Sequence, residues 1–580
     1  VGALLLICSI CASEAQIGAI ARASVDSAGT EGNGQSFFSA ISGDGRYIAY
    51  ESLADNLVPA DTNGCSDIFV FDSLLQTTVR ASVATDGTQA DAPCYRPSLS
   101  ADGRYVTFYS AATTLVPGDT NGVWDVFVRD LQNNTTERVS VSSLGEEANG
   151  YSIHPRISAD GRCVVFHSLA SNLVPGDVND TWDVFVYDRD LKVIDLVSVS
   201  DEGGQGNNWS EHASISGDGQ IVVFHSKADN LVPNDTNGVE DVFIFDRQTR
   251  HIMRIMGMGG EEPNGTSAFP FISADARYVA FEAYASNLIA QDTNGIQDVY
   301  CYDRQTGNLE WISIGLSGTP SNGESNRPTV SQDGRLIAFF SNASNLVAGD
   351  ANNVADSFVW DRQSGRSRLL SADKDGFQGN RASLYPRISL DGRFVSFQSF
   401  ASNLVPGDSN QASDVFQKEV SLSPPELYAP TDATIVKGQL LTGTIHSLAA
   451  DDDDFWAQSA VYDATNPTAF LNSQFTAKTV VGAENYASGR VIISQKTTSA
   501  ATQFYGRLWN YTINNWVQAW NNVPGSITET RLEFAIPFPL SDFIQSGTRE
   551  MLLECRNSTA NRTAGFFIHS TDLINWELLP

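Results

Sequence analysis

Apolar and polar positions alternate in short bursts along most of this chain, and helical periodicity is absent. One stretch shows the unit. "HPRIS" (154–158) is a short strand, and Asp160-Gly161 supplies a tight turn after it. "RCVVFHS" (162–168) is apolar on both faces, as befits a strand buried between two sheets. "DVFVYD" (183–188) and "DLVSVS" (195–200) predict a third and a fourth strand. The unit occurs seven times, with its turn aspartate at Asp44, Asp102, Asp160, Asp218, Asp275, Asp333 and Asp391. Every interval is 58 residues except one of 57. Four-stranded units at so regular a period predict the blades of a β-propeller, because the repeats of a linear β-solenoid are usually shorter.

The ends of the array predict closure. "ARASVD" (21–26) has the pattern of a fourth strand yet precedes the first complete unit. The seventh unit runs through "DVFQKEV" (414–420), and Pro424-Pro425 follows in place of a fourth strand. The N-terminal strand is therefore expected to complete the last blade and hide the edges an open array would expose. The expected fold class is all-β: a seven-bladed propeller over 16–422, a linker at 423–430 and a C-terminal β-sandwich over 431–580. The sandwich rests on alternating segments such as "QFYGRLWNYT" (503–512), "RLEFAIP" (531–537) and "MLLECR" (551–556), separated by turn signals.

The repeated "SADGRYVTFYS" and "DVFVRD" segments resemble the TolB-type, WD40-like propeller repeat, with its S-x-D-G core and following F/Y-V-x-D strand. The resemblance covers about residues 20–420 and implies the fold. Two departures keep TolB's envelope role from being carried over with it. Ala, Gly, Gln or Leu stands after the serine where that pattern has Pro, and each unit adds a loop of about fifteen residues between its second and third strands.

Charge narrows the partners. Lys and Arg total 36 against 68 acidic residues, a net charge of −32, which repels nucleic acid and anionic lipid. The opening "VGALLLICSICASEAQ" reads as the apolar part of a signal peptide with a small-residue cleavage site, so residues 1–15 are expected to be removed on export. The expected location is extracellular or periplasmic. That run is too short to span a bilayer, and no later segment is long and apolar enough to anchor the chain. Among the remaining cysteines, Cys65 and Cys94 fall in loops assigned to one face of neighbouring blades and are expected to form a disulfide.

Two sets of residues carry candidate chemistry. The loop "VPGDTNGVWDVF" and its six counterparts bring carboxylates and an amide together at fixed spacing. The sets are Asp61, Asn63 and Asp67; Asp119, Asn121 and Asp125; Asp177, Asn179 and Asp183; Asp235, Asn237 and Asp241; Asp292, Asn294 and Asp298; Asp350, Asn352 and Asp356; Asp408, Asn410 and Asp414. Hard oxygen ligands at this spacing suit calcium, whereas turn-forming Asn-Gly with capping aspartates accounts for the same residues without a metal. The second set is His154 and His212 at one repeat position, and His167 and His225 at another. Imidazoles so clustered would bind a transition metal or transfer protons, although duplicated blades packing histidines between sheets would give the same pattern.

Three functions follow. The first is a secreted, non-catalytic binding or scaffold protein whose loop-rich face takes a protein or glycan. The second is a metal-dependent polysaccharide lyase or hydrolase using the four histidines; oligogalacturonate lyase, a propeller with a histidine-held metal, is the precedent, and no other motif of it is present. The third is envelope assembly of the TolB type. The chain has no GxSxG elbow, HExxH or P-loop, which favours the first.

Overall fold

The computed structural model describes residues 19–420 in full and, beyond them, only the backbone of strands lying between 432 and 579. Two compact units are distinguished, one of them Gln16–Ser421. That unit is a seven-bladed propeller of four-stranded antiparallel sheets. In the first blade the strands run, from the axis outward, Ser36–Ile41, Tyr47–Ser52, Asp67–Asp72 and Thr77–Arg80. The other blades repeat that order.

The apolar runs become the strands buried on both faces. Cys163–Ser168 and Asp183–Asp188 have no exposed residue, as their lack of a polar face implied. Each blade holds one fully buried aromatic pair in register across its second and third strands, exemplified by Phe108 with Phe127 at 5.8 Å between ring centroids and Phe166 with Phe185 at 6.1 Å. Such pairs add about 0.5–1.5 kcal/mol each beyond the area they bury. At the Asp-Gly turns Gly103 has φ +70° and lies on Tyr47 of the preceding blade, where a Cβ would sit 2.2 Å from the ring. Bulk at that turn is excluded twice, by conformation and by space.

Closure takes the expected route. Ile20–Arg22 pairs antiparallel with Asp414–Glu419, so the first described strand is the outermost strand of the seventh blade. The seam is sealed by Ala23 N–H to the Val415 carbonyl at 2.7 Å and by Ser36 N–H to the Ser413 carbonyl at 2.7 Å. The Asp-Gly turns link around the narrow end of the axis, Gly43 N–H to Ala101 O at 2.8 Å and Ala101 N–H to Ala159 O at 2.9 Å among them.

A buried aspartate at the start of each third strand ties each blade together. In six blades a serine two residues past the fourth strand donates its hydroxyl to that carboxylate: Ser24 to Asp414, Ser82 to Asp67, Ser140 to Asp125, Ser198 to Asp183, Ser313 to Asp298 and Ser371 to Asp356, at 2.5–2.7 Å. Each serine oxygen also accepts the amide that follows the aspartate, as Val184 N–H to Ser198 shows at 3.1 Å. The fourth blade breaks the rule, because Met256 occupies the serine position. Asp241 Oδ1 is accordingly buried without a hydrogen-bond partner.

In the C-terminal part the described strands pair into two five-stranded antiparallel sheets. How they pack, and hence the sandwich, lies outside the described residues, as do the linker and residues 1–15. Among the described residues no helix is long and apolar enough to cross a membrane.

The serine clasp yields a stability prediction. Met256→Ser supplies the missing donor to Asp241 and is expected to raise the urea midpoint by an amount equivalent to about 1–2 kcal/mol, the usual penalty for an orphaned buried acceptor. An unchanged or lower midpoint would show that Met256 packing outweighs the lost bond.

Candidate binding site in the axial channel

The seven Asp-x-Asn loops lie on one face with the blade-to-blade connections, and the asparagine is what joins them. Asn121 Nδ2 donates to Asp125 at 2.7 Å and to the Ala148 carbonyl of the next connection at 3.1 Å, while its Oδ1 accepts the Val123 amide. Asn63, Asn179, Asn237, Asn294, Asn352 and Asn410 repeat both donations. The amide oxygen is thus committed to an Asx turn.

The aspartates divide into two groups. In four blades an arginine from the fourth strand stands between them. Arg80 meets Asp61 at 2.9 Å and Asp67 at 3.1 Å, and Arg254 meets Asp235 at 2.8 Å and Asp241 at 3.0 Å. Arg138 does the same with Asp119, Asp125 and Glu147, and Arg22 with Asp408, Asp414 and Glu31. Blades three, five and six carry Leu196, Trp311 and Leu369 at the arginine position, so their carboxylates have no such cation. Burial pushes Asp183 and Asp356 up to about 6. The arginines recur thirteen residues after Asp67, Asp125 and Asp241, a spacing visible in the sequence that the loop reading passed over.

Cys65 and Cys94 are free thiols, and the expected bridge is not made in this structure. Cys65 Sγ approaches the Asn63 carbonyl at 3.6 Å and Cys94 Sγ the Ala92 carbonyl at 3.7 Å.

The histidines do come together, on the wall of the axial channel. His154 and His212 belong to a ring of equivalent inner-strand residues completed by Phe38, Arg96, Phe269, Arg327 and Tyr385. All seven have φ between +44° and +54°, at a bulge where the pairing register of the inner strand shifts. A bulge re-aims its side chain, here toward the axis, and frees the amide of that residue. The second strand of the preceding blade caps the freed amide. His167 Nδ1 accepts the His212 amide at 3.3 Å and His225 Nδ1 accepts the Phe269 amide at 3.2 Å. Glu51, Glu282 and Gln398 do the same for Arg96, Arg327 and Phe38. At the remaining two positions Tyr109 stacks on His154 at 5.7 Å and Phe340 lies 5.4 Å from Tyr385.

These contacts define the histidines' chemistry. Burial pushes His167 and His225 down to about 3, so both are neutral, as an Nδ1 acceptor must be. The rings stack at 5.2 Å between His154 and His167 and at 5.3 Å between His212 and His225. Among the described residues the three-carboxylate group Glu31, Asp408 and Asp414 has metal-binding proximity, and no histidine is part of such a group. Arg22 already occupies that acidic group.

Aromatic rings extend the wall from the channel to the open face. Tyr95 lies 5.3 Å from Tyr109, Tyr109 lies 5.8 Å from Trp124, and Trp124 lies 5.2 Å from Tyr151. Trp124 and Tyr151 are 38% and 45% exposed, whereas Tyr109 is buried. Trp182 and Trp209 meet His167 and His225 edge-on at 5.1 and 5.7 Å. The upper cavity of the channel holds about 60 Å³.

No family model matches the sequence, and no curated protein matches it. Among solved structures the chain is similar to the putative TolB from Agrobacterium tumefaciens, with 14% identity over 61% of this chain and 97% of that one and a TM-score of 0.34. It is similar also to TolB from Acinetobacter baumannii, with 11% identity over 67% and 79% and a TM-score of 0.30. Pyrococcus horikoshii acylaminoacyl peptidase matches with 10% identity over 78% of this chain and 59% of that one, at a TM-score of 0.41. The seven-bladed propeller itself stands on the strand pairing of this chain.

Replacing the imidazoles separates a capping role from a metal-binding one. His225→Gln keeps an acceptor, as Gln398 does in the seventh blade, and is expected to hold wild-type stability. His225→Ala leaves the Phe269 amide uncapped and is expected to lose about 1–3 kcal/mol in urea melts. The pH response has a definite sign. Both folded-state values lie below the unfolded value near 6.5, so the histidines' stabilisation is present above that pH and is lost as pH falls toward 3. The double variant His167→Gln, His225→Gln is expected to show a flatter stability profile than wild type over that window.

Proposed function

We propose that the protein is an exported, non-catalytic binding protein whose ligand, a protein or a glycan, sits at the channel mouth over blades two to four. The observation that carries this reading is the continuous run of rings from exposed Trp124 and Tyr151 down to the channel histidines. Aromatic side chains left half-bare at the mouth of a cavity offer broad contact area at little conformational cost, which is why they concentrate at binding sites. The non-catalytic part is supported by the histidines, whose capping and stacking contacts explain their presence without a reaction.

Screening the purified protein against a glycan array and against proteins of an envelope extract tests the proposal. A ligand found in either is expected to bind at least about tenfold more weakly to Trp124→Ala and Tyr151→Ala, as for centrally placed aromatic anchors. Unchanged binding by both variants would move the site away from this rim. Turnover of a captured glycan, lost in His167→Gln with the fold intact, would replace the reading with the enzymatic one.

Calcium belongs to this proposal at blades three, five and six, where Asp177 and Asp183, Asp292 and Asp298, and Asp350 and Asp356 have no arginine between them. Chelation is then expected to lower the melting temperature, since a ligand of the folded state alone stabilises it. A melting temperature indifferent to chelator would leave the aspartates as turn and clasp residues only.

A further inference from the structure

Below the aromatic rim the channel changes character. Four arginines line it in two tiers: Arg96 and Arg327 in the ring of bulged residues, and Arg156 and Arg387 two residues further along the inner strands. The guanidinium carbon of Arg96 lies over the Phe38 ring at 3.4 Å and that of Arg327 over Phe269 at 3.3 Å, and both are within 6 Å of the Tyr385 ring. In the second tier Arg156 and Arg387 stand 5.5 and 5.9 Å from the Phe271 ring. Four cations from four blades therefore converge on one axis.

No carboxylate among the described residues meets their guanidinium groups directly. Other arginines of the propeller have partners: Arg104 is held by Asp130 and Arg277 by Asp303, while Arg129, Arg247 and Arg304 donate to backbone carbonyls. Among the described residues the guanidinium groups of Arg96, Arg156, Arg327 and Arg387 make neither a hydrogen bond nor an ion pair. The two nearby carboxylates are Glu51 and Glu282. Each uses an oxygen on the backbone amide of Arg96 or Arg327, and burial pushes both up to about 7, so neither is a full negative charge at neutral pH. Burial and mutual repulsion lower Arg156 to about 10, which still leaves it charged. An arginine stacked on a ring presents its N–H groups edgewise, the geometry that grips a planar carboxylate or a phosphate.

From this we infer that the axial channel is an anion seat, in which Arg96, Arg156, Arg327 and Arg387 bind a carboxylate or phosphate group. The seat stands in a protein of net charge −32, so it is a cationic focus in an acidic molecule. The two tiers enclose cavities of about 60 and 90 Å³, room for several waters or one small oxyanion. The inference rests on the reading of the channel mouth as a ligand seat and gives that ligand its chemistry: an acidic group that enters the channel while the remainder of the ligand stacks on the rings above it.

Titration calorimetry and thermal melts at constant ionic strength test this with inorganic phosphate, glucuronate and neutral glucose. Saturable one-to-one binding of phosphate or glucuronate, with none of glucose, is the expected result. Phosphate alone would identify a free oxyanion as the ligand. Glucuronate binding that also weakens in Trp124→Ala would identify a carboxylate borne by a larger molecule. Arg156→Gln and Arg327→Gln are each expected to weaken binding about tenfold or more, the loss of one charge-assisted contact. Both are expected to melt at or above the wild-type temperature without anion, because repulsion is relieved. Absence of saturable anion binding, or equal binding by the variants, would overturn the seat, and so would variants that melt lower without anion. Capture of a neutral ligand through Trp124 and Tyr151 with no anion effect would remove this inference and leave the binding function standing.

Discussion

The buried aspartate that begins each third strand is the interaction on which the propeller depends. Its carboxylate receives the serine just past the fourth strand, the asparagine of the long loop and, in four blades, an arginine. The long loop, the third strand and the segment closing the blade are thereby held at one point inside it. Such a hub is demanding, since a carboxylate fully removed from water is tolerated only with its lone pairs satisfied. Most blades meet that demand with the same donors. The fourth departs from them, and there one oxygen is orphaned.

Closure reuses the same hub across the chain ends. Ser24 and Arg22 reach Asp414 from a strand some 390 residues away, so the seam between first and last blades is made of the same bonds as the interior of any other blade. No special latch is needed. The edge a propeller would otherwise leave open is paired by a strand that already carries the Arg-x-Ser pattern of the fourth position.

Much of this was legible in the sequence. The period, the tight Asp-Gly turns and the doubly apolar strands are local patterns, and they determine blade number, strand order and the closing strand without tertiary information. The loops were legible only in part. Asn-Gly marked the turn, but the role of the second aspartate depends on Arg80 or Arg138, which arrives from the next strand thirteen residues on, outside the loop motif. The channel was least legible. Its inward-facing residues depend on a bulge in each inner strand, and a bulge shifts the alternation by which inside and outside are read. "IHPRIS" and "LYPRIS" display Arg156 and Arg387 plainly, and arginines in the inner strands of so acidic a chain were the available signal.

The bulge also explains why the channel varies while the blades do not. At each ring position the backbone asks one thing of its neighbour, an acceptor for the freed amide, and Gln, Glu and His all serve. Tyr109 and Phe340 cover it with a ring instead. The ring residue itself is unconstrained by that bond, since its side chain points away from the sheet into the channel. Seven positions of fixed geometry are thus free in chemistry, and this chain fills them with three aromatic residues, two histidines and two arginines. The neutral imidazoles fit this arrangement. His154 and His212 share the ring with Arg96 and Arg327, and burial, which pushes both imidazoles well below their ordinary range, lets them line the passage without adding charge, so that the positive potential of the channel belongs to its guanidinium groups.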